Sequence, residues 1–374
     1  MPSVPPAQLY HLIAFLISTS VVLWSTPAVK AIGLKSGHVD RPGRRKVHRE
    51  PIVRIGGVSI FIGVLVALLT VWRLGGFGTL PTDKEWEIWG ITVGGFVFFA
   101  IGLCDDLFNL SAGVRLVLQG VAASLVWMTG VQIEFLSVPF IDLFHLGWLS
   151  LPVTVIWLVG MVNAINWFDG LDGLAAGVSG IAAVVMLIVT LAMDQPAAAL
   201  VAAALAGGAL GFLRYNFNPA EIFMGDSGAY YLGFMLAGIG VVGLVKTAAV
   251  TAVLLPFLIL AVPIADMSVV IISRLWGGKS PFTADQRHLH HRLLKAGIPQ
   301  RLTVLFMYAL TLWVGSLALG FSGIPSGWAY AIAATLLLVY VGWQVLRRRQ
   351  HRLGRERRSR SAGDNVREHH DREL

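Results

Sequence analysis

"WLSLPVTVIWLVGMVNAINWFDGLDGLAAGVSGIAAVVMLIVTLAM", residues 148–193, sets two apolar runs on either side of a polar seam. A transmembrane helix needs about 20 mostly apolar residues, and the runs at 148–163 and 174–193 are of that order. The seam holds Asn163, Asn166, Asp169, Asp172 and the glycines at 170 and 173. Hydrocarbon strongly disfavours such groups, so the seam belongs where water reaches the chain. One stretch thus points both to the class of fold and to the place where chemistry is to be sought.

The rest of the chain repeats the pattern. Of its 374 residues 56% are hydrophobic and 13% charged, with mean hydropathy +0.71; a soluble domain is about 25% charged. We read about eleven spans, near 9–32, 55–73, 88–104, 115–130, 148–163, 174–193, 197–213, 228–245, 248–272, 303–321 and 327–346. The expected fold is an all-α polytopic membrane protein with its site on one membrane face. Residues 1–346 make one membrane-embedded domain. The first span has no charged leader or small-residue cleavage site, so it reads as a retained helix. No internal repeat stands out. "MTGVQIEFLSVPFIDLFHLG" (128–147) is apolar but interrupted, and reads as either a surface hairpin or a re-entrant piece. The single cysteine, Cys104, excludes an intramolecular disulfide and is expected to pack within its helix. Residues 347–374 form a basic tail with too little apolar surface to fold. That tail is expected to be disordered and to hold the last helix against anionic lipid, with no nucleic-acid partner.

An odd number of spans puts the termini on opposite sides, and charge chooses the orientation. With the C-terminus cytoplasmic and the N-terminus outside, only Arg73, Lys84 and Lys246 of the 29 lysines and arginines fall outside. The polar clusters then share the inner face with the seam. They are "DRPGRRKVHREPIVRIGG" (40–57), "CDDLFNLSAGVR" (104–115), "RYNFNPAEIFMGDSG" (214–228) and "RLWGGKSPFTADQRHLHHRL" (274–293).

Each cluster taken singly has an ordinary reading as a helix end, a turn or a cap. A zinc site at "HLHH" would lack cysteines and a second ligand set. Their gathering on one face favours a site. Asp and Asn oxygens suit magnesium, which keeps waters and bridges substrate phosphates. Lys, Arg and His offset phosphate charge, and glycines admit a nucleotide close to the backbone. Two adjacent carboxylates, Asp105 and Asp106, repel each other and favour a nearby cation. Asn166, Asp169 and Asp172 step by three, so on a helix they would share a face. With no G-x-x-x-x-G-K-[ST] loop, ATP hydrolysis is not expected.

In this order the motifs resemble the polyprenyl-phosphate N-acetylhexosamine-1-phosphate transferase family, over residues 33 to 320 or so. The His-x-His-His-Arg loop resembles the branch that takes UDP-N-acetylglucosamine, the undecaprenyl-phosphate N-acetylglucosaminyl-1-phosphate transferases. The resemblance implies transfer of a sugar-1-phosphate from a UDP-sugar to undecaprenyl phosphate in the bacterial plasma membrane. UMP would be released and a lipid-linked envelope glycan begun. It implies Mg2+, with Mn2+ as an alternative, and allows a homodimer. It gives Asp105 and Asp106 catalytic roles, one handling the proton of the lipid phosphate. Asp226 and Asn166 become metal ligands, and Asp169, Asp172 and Asn216 line the nucleotide pocket. Lys46, His48, His288, His290, His291 and Arg292 contact phosphate or sugar. Two positions depart from the pattern: Ala229 where many relatives have Ser, and Val53 where Pro is common.

Three rivals stand beside this reading. One is a muramoyl-pentapeptide-type transferase using another UDP-sugar. A second, the CDP-alcohol phosphatidyltransferase, would need a spaced aspartate signature that is absent beyond "DGLDG". The third is a lipid-carrier transporter, which should show polar residues near mid-membrane in broken helices. Here only Asp266 lies inside a span, near its inner end.

Overall fold

Where no water reaches, backbone N–H and C=O groups must pair within their own segment, so apolar runs become helices. In the computed structural model, which describes residues 7–40, 51–80, 82–138, 141–245, 250–278 and 287–370, they do. The helices are α1 (Ala7–Ser36), α2 (Gly57–Arg73), α3 (Thr82–Phe108), α4 (Ala112–Met128), α5 (Ser150–Phe168), α6 (Leu174–Ala192) and α7 (Pro196–Asn216). They continue as α8 (Gly225–Gly240), α9 (Val250–Ile259), α10 (Ala261–Trp276), α11 (Leu289–Lys295), α12 (Gln300–Phe321) and α13 (Pro325–His370).

Among the described residues eight helices are long and apolar enough to cross a membrane, while α2 and α4 are apolar but have 17 residues each. The expected span at 248–272 is not one helix. It is α9 and α10, meeting at Leu260, whose φ of −98° and ψ of 15° leave helical geometry. Pro263 lacks the N–H that would serve the carbonyl four residues back, which accounts for a break here. Among the described residues the other expected spans each fall on one helix.

Helix α8 lies at the centre, with every residue from Ser227 to Gly240 buried and with α2, α3, α5, α6 and α7 around it. Small residues let backbones approach closely. A side chain at Gly57 would strike Gly228, and one at Gly102 would strike the backbone of Asp226 and Ser227. Inside the bundle, Asn163 of α5 donates to Gln119 of α4 at 2.7 Å. Helices α1, α4 and α13 turn Trp24, Val117 and Leu336 outward, as a lipid-facing rim requires.

Two short hairpins complete the fold. β1 (Val39–Asp40) pairs antiparallel with β2 (Ile52–Val53), and Val53 also bridges Ile222. β3 (Phe135–Val138) and β4 (Ile141–His145) pair antiparallel with an irregular register. The 128–147 segment is thus the hairpin, not the re-entrant piece. Cys104 is exposed on α3, not packed as expected. Helix α13 runs to His370 and takes in most of the segment read as a disordered tail. That segment is rich in Arg, a good helix former.

Candidate active site

The site begins at the last turn of α3. Asp105 and Asp106 are neighbours in sequence, so on a helix they point in different directions and take different partners. Asp106 Oδ1 accepts from the Asp226 N–H and Oδ2 from the Ser227 N–H, each at 2.9 Å. It does the work of an N-cap for α8, whose own preceding residue, Met224, supplies no cap. Gly225 between them has φ +74° and lies against the Arg54 carbonyl and the Asp106 carboxylate, leaving no room for a side chain.

Asp105 is buried and turns the other way. Its Oδ1 accepts from the Leu110 N–H at 2.8 Å. Its Oδ2 takes Arg115 Nη1 at 2.7 Å and the Tyr230 hydroxyl at 3.3 Å. Both carboxylates are therefore engaged by protein groups, although Asp105 Oδ1, with one partner, keeps a lone pair free. Arg115 and Tyr230 are partners of Asp105 that the motif reading did not single out. The available signal was a lone cation at the start of an otherwise apolar helix.

Asp226 stands in the first turn of α8, where Asn166 Nδ2 donates a short hydrogen bond to its Oδ1. The charges of Asp106 and Asp105 act on it as well. Asn166 comes from the last turn of α5, which ends at Phe168. The chain then turns through 169–173, so Asn166, Asp169 and Asp172 do not share a helix face as their spacing predicts. Helix α5 stops at Asp169, whose ψ of 54° leaves helical geometry, and Gly173 opens α6. Gly173 sits at φ +78°; its N–H donates to Asn216 Oδ1 at 3.1 Å, and its carbonyl accepts from the Tyr308 hydroxyl at 2.5 Å.

This turn divides the residues assigned to a nucleotide pocket. Asp172 Oδ2 accepts from Asn218 Nδ2 at 2.9 Å and from the Ala220 N–H at 3.1 Å, tying the seam to the turn after α7. Asn216 is buried and also donates to the Ile222 carbonyl at 2.9 Å. Both stitch loops together. Asp169 is only half-buried and is held by no such bond among the described residues. Burial first, then the charges of Asp226, Asp106 and Asp172, push its carboxyl up to about 7, with Arg54 opposing.

The histidine loop arrives from the far end of the chain. His288 Nδ1 lies 2.7 Å from Asp266 Oδ2, and the Leu289 N–H donates to Asp266 Oδ1 at 2.7 Å. The rings of His288 and His290 stack with centroids 5.6 Å apart, and His291 lies 4.3 Å from His290. His290 is fully buried, and neither ring nitrogen has a hydrogen-bond partner among the described residues. Burial, then the neighbouring His291, hold it down to about 3, so it is neutral near pH 7 and adds no positive charge for a phosphate. Its ring packs on Gly170, where any side chain would collide with it. The seam and the histidine loop therefore meet. Arg292 is exposed, and Lys46 and His48 lie outside the described residues.

A multi-pass membrane protein with carboxylates, an amide and histidines gathered at helix ends is the class these features define. Residues 88–244 match glycosyl transferase family 4, a range that holds Asp105, Asp106, Asn166, Asp169, Asp172, Asn216 and Asp226. The chain is 40% identical to the probable undecaprenyl-phosphate N-acetylglucosaminyl 1-phosphate transferase of Bacillus subtilis, over 80% of this chain and 81% of that one. It is 35% identical to the decaprenyl-phosphate N-acetylglucosaminephosphotransferase of Mycolicibacterium smegmatis, over 82% and 80%. To the undecaprenyl-phosphate alpha-N-acetylglucosaminyl 1-phosphate transferase of Pasteurella multocida it is 32% identical, over 82% and 85%. The chain belongs to glycosyl transferase family 4.

Proposed function

We propose that this protein transfers N-acetylglucosamine-1-phosphate from UDP-N-acetylglucosamine to undecaprenyl phosphate and releases UMP. The observation that carries the reading is the meeting of Asn166, Asp169 and Asp226 with the histidine loop, in a chain 40% identical to the Bacillus transferase. Enzymatic phosphoryl transfer is mostly positioning and charge neutralisation. An oxygen of the lipid phosphate attacks the sugar-bearing phosphorus, and the bond from that phosphorus to the UMP oxygen breaks. The acceptor never leaves the bilayer, which explains why the site hangs from membrane helices. The charge asymmetry supports a cytoplasmic C-terminus and an outer N-terminus, with the nucleotide reaching the site from the cytoplasm.

The donors also suit magnesium, or manganese in its place. Among the described residues no three Asp, Glu, His or Cys side chains could cage a metal. Magnesium needs only one or two carboxylates beside waters and substrate phosphates. Asp226, with the Asn166 amide oxygen, would hold it, and Asp169 is near. When bound, the ion neutralises the charge of the diphosphate. The carboxylates here repel one another, and a cation would relieve that repulsion.

A linkage follows. The Asp169 carboxyl, ordinarily near 3.8, is raised to about 7 in the folded protein. The folded chain therefore binds more protons than the unfolded one between those values, and stability falls as pH rises through them. Magnesium replaces the missing proton. Adding MgCl2 should raise the melting temperature clearly at about pH 8 and little at about pH 5.5. Equal shifts at both would contradict the linkage.

Asp169 and Asp172 should fail differently. Asp169→Asn should lower kcat/KM at least about tenfold with little change in melting temperature. Asp172→Ala strands the Asn218 amide and the Ala220 N–H and should cost about 1–3 kcal/mol of stability. Melting curves and initial rates of the two purified variants separate the roles.

The function itself is tested with purified protein, MgCl2, undecaprenyl phosphate and labelled UDP-N-acetylglucosamine. Label should pass into the butanol-extractable lipid. Label moving only from UDP-N-acetylmuramoyl-pentapeptide would overturn the choice of sugar.

A further inference from the structure

Asp266 is a buried carboxylate that the reaction as described does not use. It lies in α10, just past the break at Leu260, in a segment otherwise apolar up to Ser273 except for Ser268. A charge in such a place is costly unless it is bonded. It is bonded on both oxygens, to His288 Nδ1 and to the Leu289 N–H, each at 2.7 Å.

A carboxylate only accepts hydrogen bonds, so the His288 proton facing it sits on Nδ1 and the working nitrogen is Nε2. The ring is held on its other sides by His290, stacked at 5.6 Å, and by Trp167 at 6.4 Å. Trp167 follows Asn166 directly in α5. The His288 ring therefore lies between Asp266 and the residue next to the Asp226 partner.

We propose that Asp266 is a positioning residue for the transfer reaction: it fixes the His288 tautomer and the start of α11, so that the ring meets the donor's phosphates or sugar through Nε2. This rests on the function proposed above. A merely structural carboxylate would fasten α11 and do nothing more, and one substitution separates the two. In Asp266→Asn, Oδ1 can still accept from the Leu289 N–H. The amide nitrogen in the place of Oδ2 donates to Nδ1, and the ring proton moves to Nε2.

The test uses the full-length protein in detergent, with side-chain 15N spectra of labelled histidine, the His288 signal assigned by its loss in His288→Gln. Asp266→Asn should move the proton from Nδ1 to Nε2 and lower kcat about a hundredfold. KM and melting temperature should stay near wild type. Asp266→Glu, which restores an acceptor, should recover part of the rate. Asp266→Ala should lower both rate and melting temperature. A switched tautomer with wild-type kcat would overturn the proposal, as would an Asp266→Asn variant that merely melts early like Asp266→Ala. If the wild-type protein transfers nothing from any UDP-sugar, the function proposed above falls, while the ring spectra still decide whether Asp266 sets the tautomer.

Discussion

Asp226→Asn is expected to lower turnover by more than about a hundredfold while the protein still inserts and melts near its normal temperature. The fold should survive because the asparagine oxygen can still accept from Asn166 Nδ2, the partner Asp226 has now. One negative charge also leaves a group in which Asp105, Asp106 and Asp226 repel one another. The loss should fall on chemistry: an amide is a poorer ligand for a hard cation and cannot help neutralise one. The magnesium-linked rise in melting temperature at about pH 8 should shrink in the same variant. Turnover by the purified variant within a few-fold of wild type would remove Asp226 from the reaction.

Asp106→Ala should damage both stability and rate. Its two oxygens are the partners of the Asp226 and Ser227 N–H groups, so the change uncaps the central helix. Losing a cap costs about 1–2 kcal/mol, and stranding buried donors adds to that. Asp226 is itself one of the freed residues, so the first turn of α8 loses its register against Asn166 and turnover falls as well. Melting curves and initial rates check both halves. A variant that melts normally but does not turn over would show that Asp106 acts on substrate and not through α8.

The apolar runs were readable because a bilayer sets the length of a helix and leaves the backbone no other partner. The break at Leu260 was not, since Pro256 and Pro263 lie in a run whose hydropathy is unbroken. The distinction matters for the transporter reading, which asked for a broken helix and an intramembrane charge. The break is present, and Asp266 just past it is committed to His288 and Leu289. The motifs named Asp226 and Asn166, and the structure brings the two into hydrogen-bond contact. They could not reveal that Asp106 caps a helix 120 residues onward in the chain, because that pairing depends on how α3 and α8 pack. Spacing by three misjudged Asp169 and Asp172, although the glycines at 170 and 173 were in view. Arg115 was passed over because a single charge at the end of a span looks like a boundary, and Asp266 was weighed only against the transporter reading. Burial, which keeps His290 neutral, cannot be seen in the letters "HLHH".

The central claim is that a phosphorus atom travels with the sugar. UDP-N-acetylglucosamine labelled with 32P at the phosphorus that bears the sugar, incubated with purified protein, MgCl2 and undecaprenyl phosphate, tests it directly. The label should enter the lipid fraction, with one unlabelled UMP released for each labelled lipid formed. Label staying in the water phase as UDP, with sugar alone on the lipid, would contradict the account.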